Sequence, residues 1–530
     1  MKWQTPIQLR QLLCEIVSWE SETFSLGESQ FPHLLKERLS DLTYFQQNPA
    51  QIQTVQVDEK RSFVSAFYKK EHQTKTVVLI SHFDTVPTEE YGSLQPLATQ
   101  PEALTAAFHE QPHLLSTVAQ KDLMSGDYLF GRGVMDMKMG LVLHIHLLEK
   151  AMQNDWDLNL LLITVPDEEV NSAGMRAAVE HIAKLKEEFQ LDIQLFLNSE
   201  PSFSQDPSDI EEYIYTGTIG KIMPSALFYG KETHVGEPLK GITASFLNSY
   251  LTAEMEWNDL FLEQVYEEVT PLPVSLEQKD LKTHYSTQTP YRSYALYNVF
   301  LMKRSAEEIF LIFKQVAEQA MVKCQQRYVE ICKRQGVTPI GDIKVLTYQE
   351  LYDYSVAKLS LQSVEVIIDE IMKNDDLDDR EKSIAIADQL MIRNQELAPA
   401  TVLLFAPPYY PPASSKDNEM VQKLVDSVLV QAKEMEIPLS SKNYFNGISD
   451  LSYCQNLAID GWQAYEENTP VWKRSYEIPF VAMNEISAPV INIGPFGKDA
   501  HQISERLHVK SGFEEMPVLL SSVIEQLIGK

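Results

Sequence analysis

Seven side chains in five stretches of this 530-residue chain have the types and spacing to hold a pair of divalent cations. "SHFDTVP" (81–87) carries His82 and Asp84 at the end of an apolar run, and "GRGVMDMKMG" (131–140) places Asp136 in a glycine-rich turn. "TVPDEEVNSAG" (164–174) supplies Glu168 and Glu169, "FLNSEPS" (196–202) supplies Glu200, and "NIGPFGKDAHQISERL" (492–507) supplies His501. Imidazole and carboxylate oxygen without sulfur suit hard-to-borderline divalent ions. Asp136 would bridge two such ions, one completed by His82 and Glu200, the other by Glu169 and His501. Each ion would keep a position open for water and a substrate carbonyl.

The remaining two acids have separate tasks. Residues two apart on a strand share a side, so the Asp84 carboxylate is expected to bond the far nitrogen of His82 and fix its tautomer. Neighbours in extended backbone point in opposite directions, so one of the pair can ligate while the other faces the water; Glu169 is assigned to metal and Glu168 as general base. Glu168 would take a proton from the attacking water and hand it to the leaving amine, a service worth roughly 10²–10⁴ in rate. Singly, these signals are weak. A glutamate pair in a loop is usually solvated, and an aspartate in a glycine-rich turn is usually a helix cap. Five segments, each at the end of a predicted element, carry the reading together. His144 and His146, two apart on a predicted helix, do not share a face and are read as structural. His33, His72, His109, His113, His181, His284 and His508 show no partner pattern.

The elements that must position these groups alternate strand and helix. Apolar runs at 76–83, 158–166, 192–200 and 488–494 predict strands buried on both faces, as in parallel sheets. Helical spacing covers 135–153, 173–189 and 515–529, and the alternation predicts an α/β layer fold. In such sheets ligands bind outside the carboxyl ends of the strands, where the candidate ligands fall. From about 216 to 413 the pattern changes to strand-like pieces followed by helical stretches at 305–334, 358–373 and 379–394. A charge run at 369–383 reads as a helix junction, and the proline-rich "FAPPYYPPASSKD" (405–417) as a linker. The expected organisation is a catalytic domain in two parts, 1–215 and 414–530, interrupted by an inserted domain, 216–413.

The formal charge of -30 argues against nucleic acid or an anionic membrane as partner, since phosphates would be repelled. Four scattered cysteines form no CxxC pair and read as reduced thiols. The N-terminal pattern is an amphipathic helix rather than a signal sequence, and no stretch is long enough to span a bilayer. A cytoplasmic protein is expected.

The ordered motifs resemble the dinuclear-zinc amidohydrolase and metallopeptidase family of acetylornithine deacetylase, succinyl-diaminopimelate desuccinylase, aminoacylase and glutamate carboxypeptidase. The chain's length and enlarged middle region are most similar to an arginine-utilisation member. The resemblance implies a zinc-aminopeptidase-like, mostly parallel sheet flanked by helices, interrupted by an α+β lid that closes over the metals and often dimerises. It implies two divalent ions, zinc foremost with cobalt or manganese as alternatives, and hydrolysis of an amide bond in an N-acyl amino acid or small peptide. "YGKETHVGEPLKGITAS" (229–245) is similar to the lid motif whose histidine reaches the substrate, which implies that His234 donates to the oxyanion of the tetrahedral intermediate. "GISDLSYC" (447–454) resembles a turn near the site and points to Asp450. Glu200 at its position resembles the deacylase and carboxypeptidase members. Arg292 and Arg304 both lie near the lid strand that carries a carboxylate-binding arginine in relatives.

Two departures stand out. The span from Asp84 to Asp136 is long and is expected to form a flap, and the lid is larger than the compact form. The competing function is a non-catalytic, metal-binding relative acting as a binding or regulatory module. The presence of Glu168 weighs against it.

Overall fold

The computed structural model describes residues 2–202, 211–457 and 461–529. The chain forms two compact units: Met1–Ile219, Ala413–Asn456 and Pro479–Lys530 make the first, and Gly220–Pro412 with Leu457–Ile478 make the second.

The first unit is built on an eight-stranded sheet: β1 (Ile52–Gln56), β2 (Ser62–Tyr68), β3 (Lys75–His82), β4 (Asn159–Val165), β5 (Asp192–Asn198), β6 (Glu212–Tyr215), β7 (Leu439–Lys442) and β8 (Val490–Ile493). Their order across the sheet is β1-β2-β4-β3-β5-β8-β6-β7. The central strands β4, β3, β5 and β8 run parallel, whereas β1–β2, β2–β4 and β8–β6 are antiparallel. The sheet is therefore mixed, with its parallel part at the centre where β3 is buried from Thr76 to His82. Burial on both faces explains the unbroken apolar run in β3.

Helices α1 (Pro6–Ser18), α2 (Leu26–Ser40), α3 (Lys138–Asn154), α4 (Ala173–Phe189), α5 (Glu419–Glu434) and α6 (Met516–Leu527) flank it. In α1, Leu9, Leu12, Leu13, Ile16 and Val17 are buried, the i, i+3, i+4 spacing of one helix face. Thr5 caps that helix reciprocally with Gln8, and Pro6 opens it; such a cap contributes about 1 kcal/mol. Helices α1, α2, α3, α5 and α6 and alternate residues of the strands, among them Val77, Leu79, Leu160, Leu162, Leu195 and Leu197, share one apolar core.

The span from Asp84 to Asp136 folds as a small helical layer with helices at Pro101–Glu110 and Thr117–Ser125. It has its own apolar cluster, including Tyr91, Leu94, Leu104, Phe108, Leu123 and Phe130. The flap expected there is thus a packed element.

The second unit has strands Val274–Asp280, Arg292–Leu301, Pro224–Tyr229, Ala400–Phe405 and Lys344–Thr347 in that order, with Gly220–Ile222 paired to the end of the second. Its longest helix, Ala306–Gln335, is capped reciprocally by Ser305 and Glu308 and ends at Gly336 in the left-handed region, as helix termini favour. The helix expected at 358–373 is Leu361–Met372, and a further helix the pattern did not mark, Tyr348–Leu359, precedes it across Ser360, where φ is 86°. The charge run is the junction before Asp379–Arg393, whose cap is Asp378.

Two expectations are corrected. Leu457–Ile478, assigned above to the C-terminal part of the catalytic domain, groups with the second unit. Tyr465 there is fully buried, with its ring 5.0 Å from Phe405 and 4.9 Å from Tyr409. The proline-rich stretch 405–413 contains the boundary but is no exposed linker: every residue in it is buried. Its aromatic residues need burial more than its prolines need freedom. Among the described residues, no helix is long and apolar enough to cross a membrane.

Candidate metal centre

His82 ends β3, and Glu200 lies two residues beyond β5. Both fall at the carboxyl edge of the parallel strands, the position such sheets offer to ligands. The His82 Nε2 is 3.4 Å from Asp136 Oδ1, 3.6 Å from Glu200 Oε1 and 3.8 Å from Glu168 Oε2. The His501 Nε2 is 3.1 Å from Asp136 Oδ2 and 3.1 Å from Glu169 Oε1. Each oxygen of Asp136 therefore faces a different imidazole. Two ligand sets result, His82–Asp136–Glu200 and Asp136–Glu169–His501, each with donor atoms within 4.8 Å of one another.

Close backbone approach makes this convergence possible. A Cβ on Gly140, in the first turn of α3, would lie 2.4 Å from the Ser199 carbonyl oxygen, and one on Gly494 would lie 2.1 Å from that of Glu200. Only glycine lets both segments press against the strand end that presents Glu200. Asn492 donates to the Glu200 carbonyl at 3.0 Å, and Ser199 Oγ lies 3.0 Å from His144 Nε2. His146 is bound at Nδ1 to the Trp3 carbonyl at 2.9 Å. Both α3 histidines are buried with lowered pKa values, His144 to about 3, because burial disfavours the imidazolium.

The donor set is short of positive charge. Burial pushes Glu168 and Glu200 well above the usual carboxylate range despite the opposing pull of His82, and Glu169 also moves up. Bonds to Asp136 and Glu169 push His501 to about 11. For His82 burial acts downward, but Glu200, Asp136 and Asp84 outweigh it and hold it well above the ordinary value. His82 Nε2 and Glu200 Oε1 are buried with no hydrogen-bond partner among the described residues. Acids that prefer a proton beside imidazoles that prefer a charge are what a divalent pair would relieve. The residues present fit two such ions.

Asp84 does more than expected. The His82 Nδ1 lies 3.1 Å from the Asp84 backbone carbonyl and 3.4 Å from its carboxylate Oδ1, so the nearer acceptor is backbone. The carboxylate instead accepts the N–H groups of Glu168 (3.1 Å) and Glu169 (3.3 Å) and the Thr23 hydroxyl (2.9 Å). β3 ends at His82, which frees Asp84 to turn toward the next loop. Likewise Glu168 and Glu169 lie in a turn after β4 rather than in extended backbone, with Asp167 at φ 68°. Asp167 pairs with Arg61 at 2.9 Å and accepts from the Ala173 N–H at 3.0 Å.

Asp450 is buried in the first unit and pushed up to about 7 by burial, with His82 opposing and Asp84 adding to the rise. His234 belongs to the second unit, where the Gly236 N–H donates to its Nδ1 at 3.1 Å. That bond leaves the ring proton on Nε2. Arg292 donates to Asp388 at 2.8 Å, and Arg304 to the Leu260 carbonyl at 2.8 Å. Sequence reasoning missed Thr23, Arg61, Arg132, Lys138 and Glu505, which hold the ligand-bearing turns. Lys138 is buried, donates to the Trp19 carbonyl at 2.9 Å and sits over the Phe31 ring. "GRG" and "SERL" were on view, but no local signal marks an arginine as buried. In a third convergence, Glu212, His508 and Glu515, the two acids already have partners, since Ser511 donates to Glu212 at 3.2 Å and Lys510 pairs with Glu515 at 2.8 Å.

Comparison with known proteins gives the family. Protein YqjN of Bacillus subtilis (strain 168) is 40% identical over all of this chain and 98% of its own length. Protein RocB of the same organism is 28% identical over 98% of this chain and 95% of its own. The fold is similar to the M20 family metallo-carboxypeptidase Sso-CP2 from Sulfolobus solfataricus, with TM-score 0.56 and 11% identity, covering 97% of this chain and 98% of that one. The model of peptidase family M20/M25/M40 matches residues 78–465, a span that runs from the strand bearing His82 through both units. The chain belongs to this family of metal-dependent hydrolases.

Proposed function

We propose that this protein hydrolyses an amide bond of an N-acyl amino acid or small peptide, with divalent ions, zinc foremost, held by the two ligand sets around Asp136. The observation that carries the reading is the division of Asp136 between His82 and His501, each backed by a further carboxylate. Two ions bound there would polarise a scissile carbonyl and acidify the attacking water.

The chain's own groups supply the rest. Glu168 is 9% exposed, and its backbone is anchored by Asp84. A carboxyl whose pKa is raised by burial both accepts the water's proton and returns it to the amine. His234, with its proton on Nε2, is a donor suited to the oxyanion. The similarity to RocB supports a substrate in arginine or other amino-acid catabolism, and the family resemblance supports a homodimer through the second unit. A cytoplasmic setting fits four cysteines that are all free thiols.

The test is Glu168→Gln, assayed on a panel of N-acyl amino acids and dipeptides with zinc or cobalt. Turnover is expected to fall roughly 10²–10⁴-fold while ion content stays at the wild-type level. Undiminished turnover in the variant would remove Glu168 from the reaction. No hydrolysis of any panel member by the wild type would favour the binding module instead.

A further inference from the structure

His501 reaches the site from a loop that begins at Gly494 and ends where Arg506–His508 forms a short strand. Its imidazole is 46% exposed, and its backbone has φ 64°, close to the 59° of Asp499. An exposed ligand on such a loop needs something rigid to hold it at the distance an ion requires.

The layer inserted between Asp84 and Asp136 meets this loop at several points. Strand Arg506–His508 pairs antiparallel with Tyr128–Phe130 of the layer. Ile503 packs against the layer's apolar cluster. Arg506, 1% exposed on its side chain, donates to Asp122 through Nε at 2.9 Å and Nη2 at 2.7 Å, and Lys498 joins the same carboxylate at 3.0 Å. Arg506 also donates to the Ser504 carbonyl at 2.9 Å and to the Asp499 carboxylate, so it ties the two limbs of the loop together.

A second clasp joins the loop to the turn that bears the bridging acid. Arg132, four residues before Asp136, donates to Glu505, four residues after His501, at 2.8 Å. The other oxygen of Glu505 accepts the Gly133 N–H at 2.7 Å, and the Gly131 N–H donates to the Glu505 carbonyl at 3.1 Å. Arg132 is also bound by the Pro87 carbonyl at 3.2 Å and by Glu90, both from the inserted layer, and lies over the Tyr91 ring. The Arg132 and Glu505 side chains are 1% and 0% exposed. A buried arginine held at both terminal nitrogens, by Glu505 on one and by Pro87 and Glu90 on the other, has little freedom to shift.

We propose that the inserted layer is a brace for the His501 loop, and that Arg132, Glu505, Arg506 and Asp122 are positioning residues that set the separation of Asp136 and His501. The Asp122 contacts, confined to the His501 loop, act on the Asp136–Glu169–His501 ion, whereas the Arg132–Glu505 clasp also holds the turn of the shared Asp136 and so bears on the His82–Asp136–Glu200 ion to a lesser degree. The inference rests on the two-ion reading above.

The experiment is calorimetric titration of metal-stripped protein with Zn²⁺ and, separately, with Co²⁺, read alongside Tm. Wild type, Arg132→Met, Glu505→Gln and Asp122→Asn are compared, with His501→Ala as the reference for a lost second ion. The expected result is two ions in wild type and a second-ion affinity lowered about 10–100-fold in the brace variants, with the first-ion affinity unchanged in Asp122→Asn and less weakened than the second in Arg132→Met and Glu505→Gln. Asp122→Asn decides the matter if Arg132→Met does not fold, because Asp122 grips the loop from its outer side. Equal weakening of both ions, or no weakening in variants of lowered Tm, would make the contacts merely structural and overturn the proposal. A wild type that binds fewer than two ions would overturn the two-ion reading itself.

Discussion

Asp84 accepts at Oδ1 a hydrogen bond from the backbone N–H of Glu168, 3.1 Å away. Its other oxygen takes the N–H of Glu169 and the Thr23 hydroxyl. One buried carboxylate thus fixes where the proposed general base and a proposed metal ligand leave the chain. Asp84→Asn keeps a single acceptor oxygen and turns an amide toward donors that need acceptors. Its kcat/KM is expected to fall about 100-fold and its ion affinity about 10–100-fold. Thr23→Val, which removes one donor at the edge of the same carboxylate, should cost far less in both measurements.

Chelation should destabilise the first unit. Without cations, the charged forms of Glu168, Glu169 and Glu200 are disfavoured by burial in one cluster. A bound ion at 100 times its Kd adds about 2.7 kcal/mol of stability. Treatment with a strong chelator is expected to lower the first thermal transition by about 5 °C or more. Zinc or cobalt should restore it. Calcium, which prefers six to eight oxygen ligands, should not.

Glu28 offers a pH dependence outside the ligand set. Burial pushes its carboxyl up to about 8, with the Asp84 charge adding to the effect, while the Phe24 N–H and Arg61 oppose it. The folded state therefore holds a proton that the unfolded chain releases near pH 4.5. Its contribution is greatest below that value and is lost as pH rises toward 8. Glu28→Gln keeps the acceptor for the Phe24 N–H without the charge. Its Tm should exceed that of wild type by about 2–4 °C at pH 8.5 and match it near pH 5.

Of the two arginines left open by the sequence, Arg292 is the more committed to structure. It bonds Asp388, whose side chain is 8% exposed, whereas Arg304 bonds one backbone carbonyl. Arg292→Ala strands a buried acid and should destabilise the second unit by about 2–3 kcal/mol. Arg304→Ala should cost under about 1 kcal/mol. Denaturant titration of the second unit's transition distinguishes them.

Part of the candidate centre was legible in the chain because His82 and Glu200 stand where an apolar strand gives out, whereas Asp136 follows a glycine-rich turn and His501 lies in a loop. β3 could end in "SHFD" only if something received the polar groups, and the same holds for "NSE" after β5. The boundary of the second unit was less legible. Residues 405–413 carry prolines that read as a linker, yet Tyr409 and Tyr410 are 3% and 2% exposed. Proline content reports local backbone preference, whereas burial depends on which distant surface is available. The same limit applied to Leu457–Ile478, whose Tyr465 finds its partners some sixty residues earlier at Phe405.

By itself the sequence determined the donor types, their order and the parallel strands that gather them, because side-chain chemistry and hydrophobic period are local properties. Only the tertiary structure decided who holds the donors. Among 75 acids and 45 basic residues, no local pattern selects Glu505 for Arg132 or Asp122 for Arg506. A buried ion pair forms only where two separate backbones bring both charges out of water at bonding distance, and that depends on the packing of the whole unit.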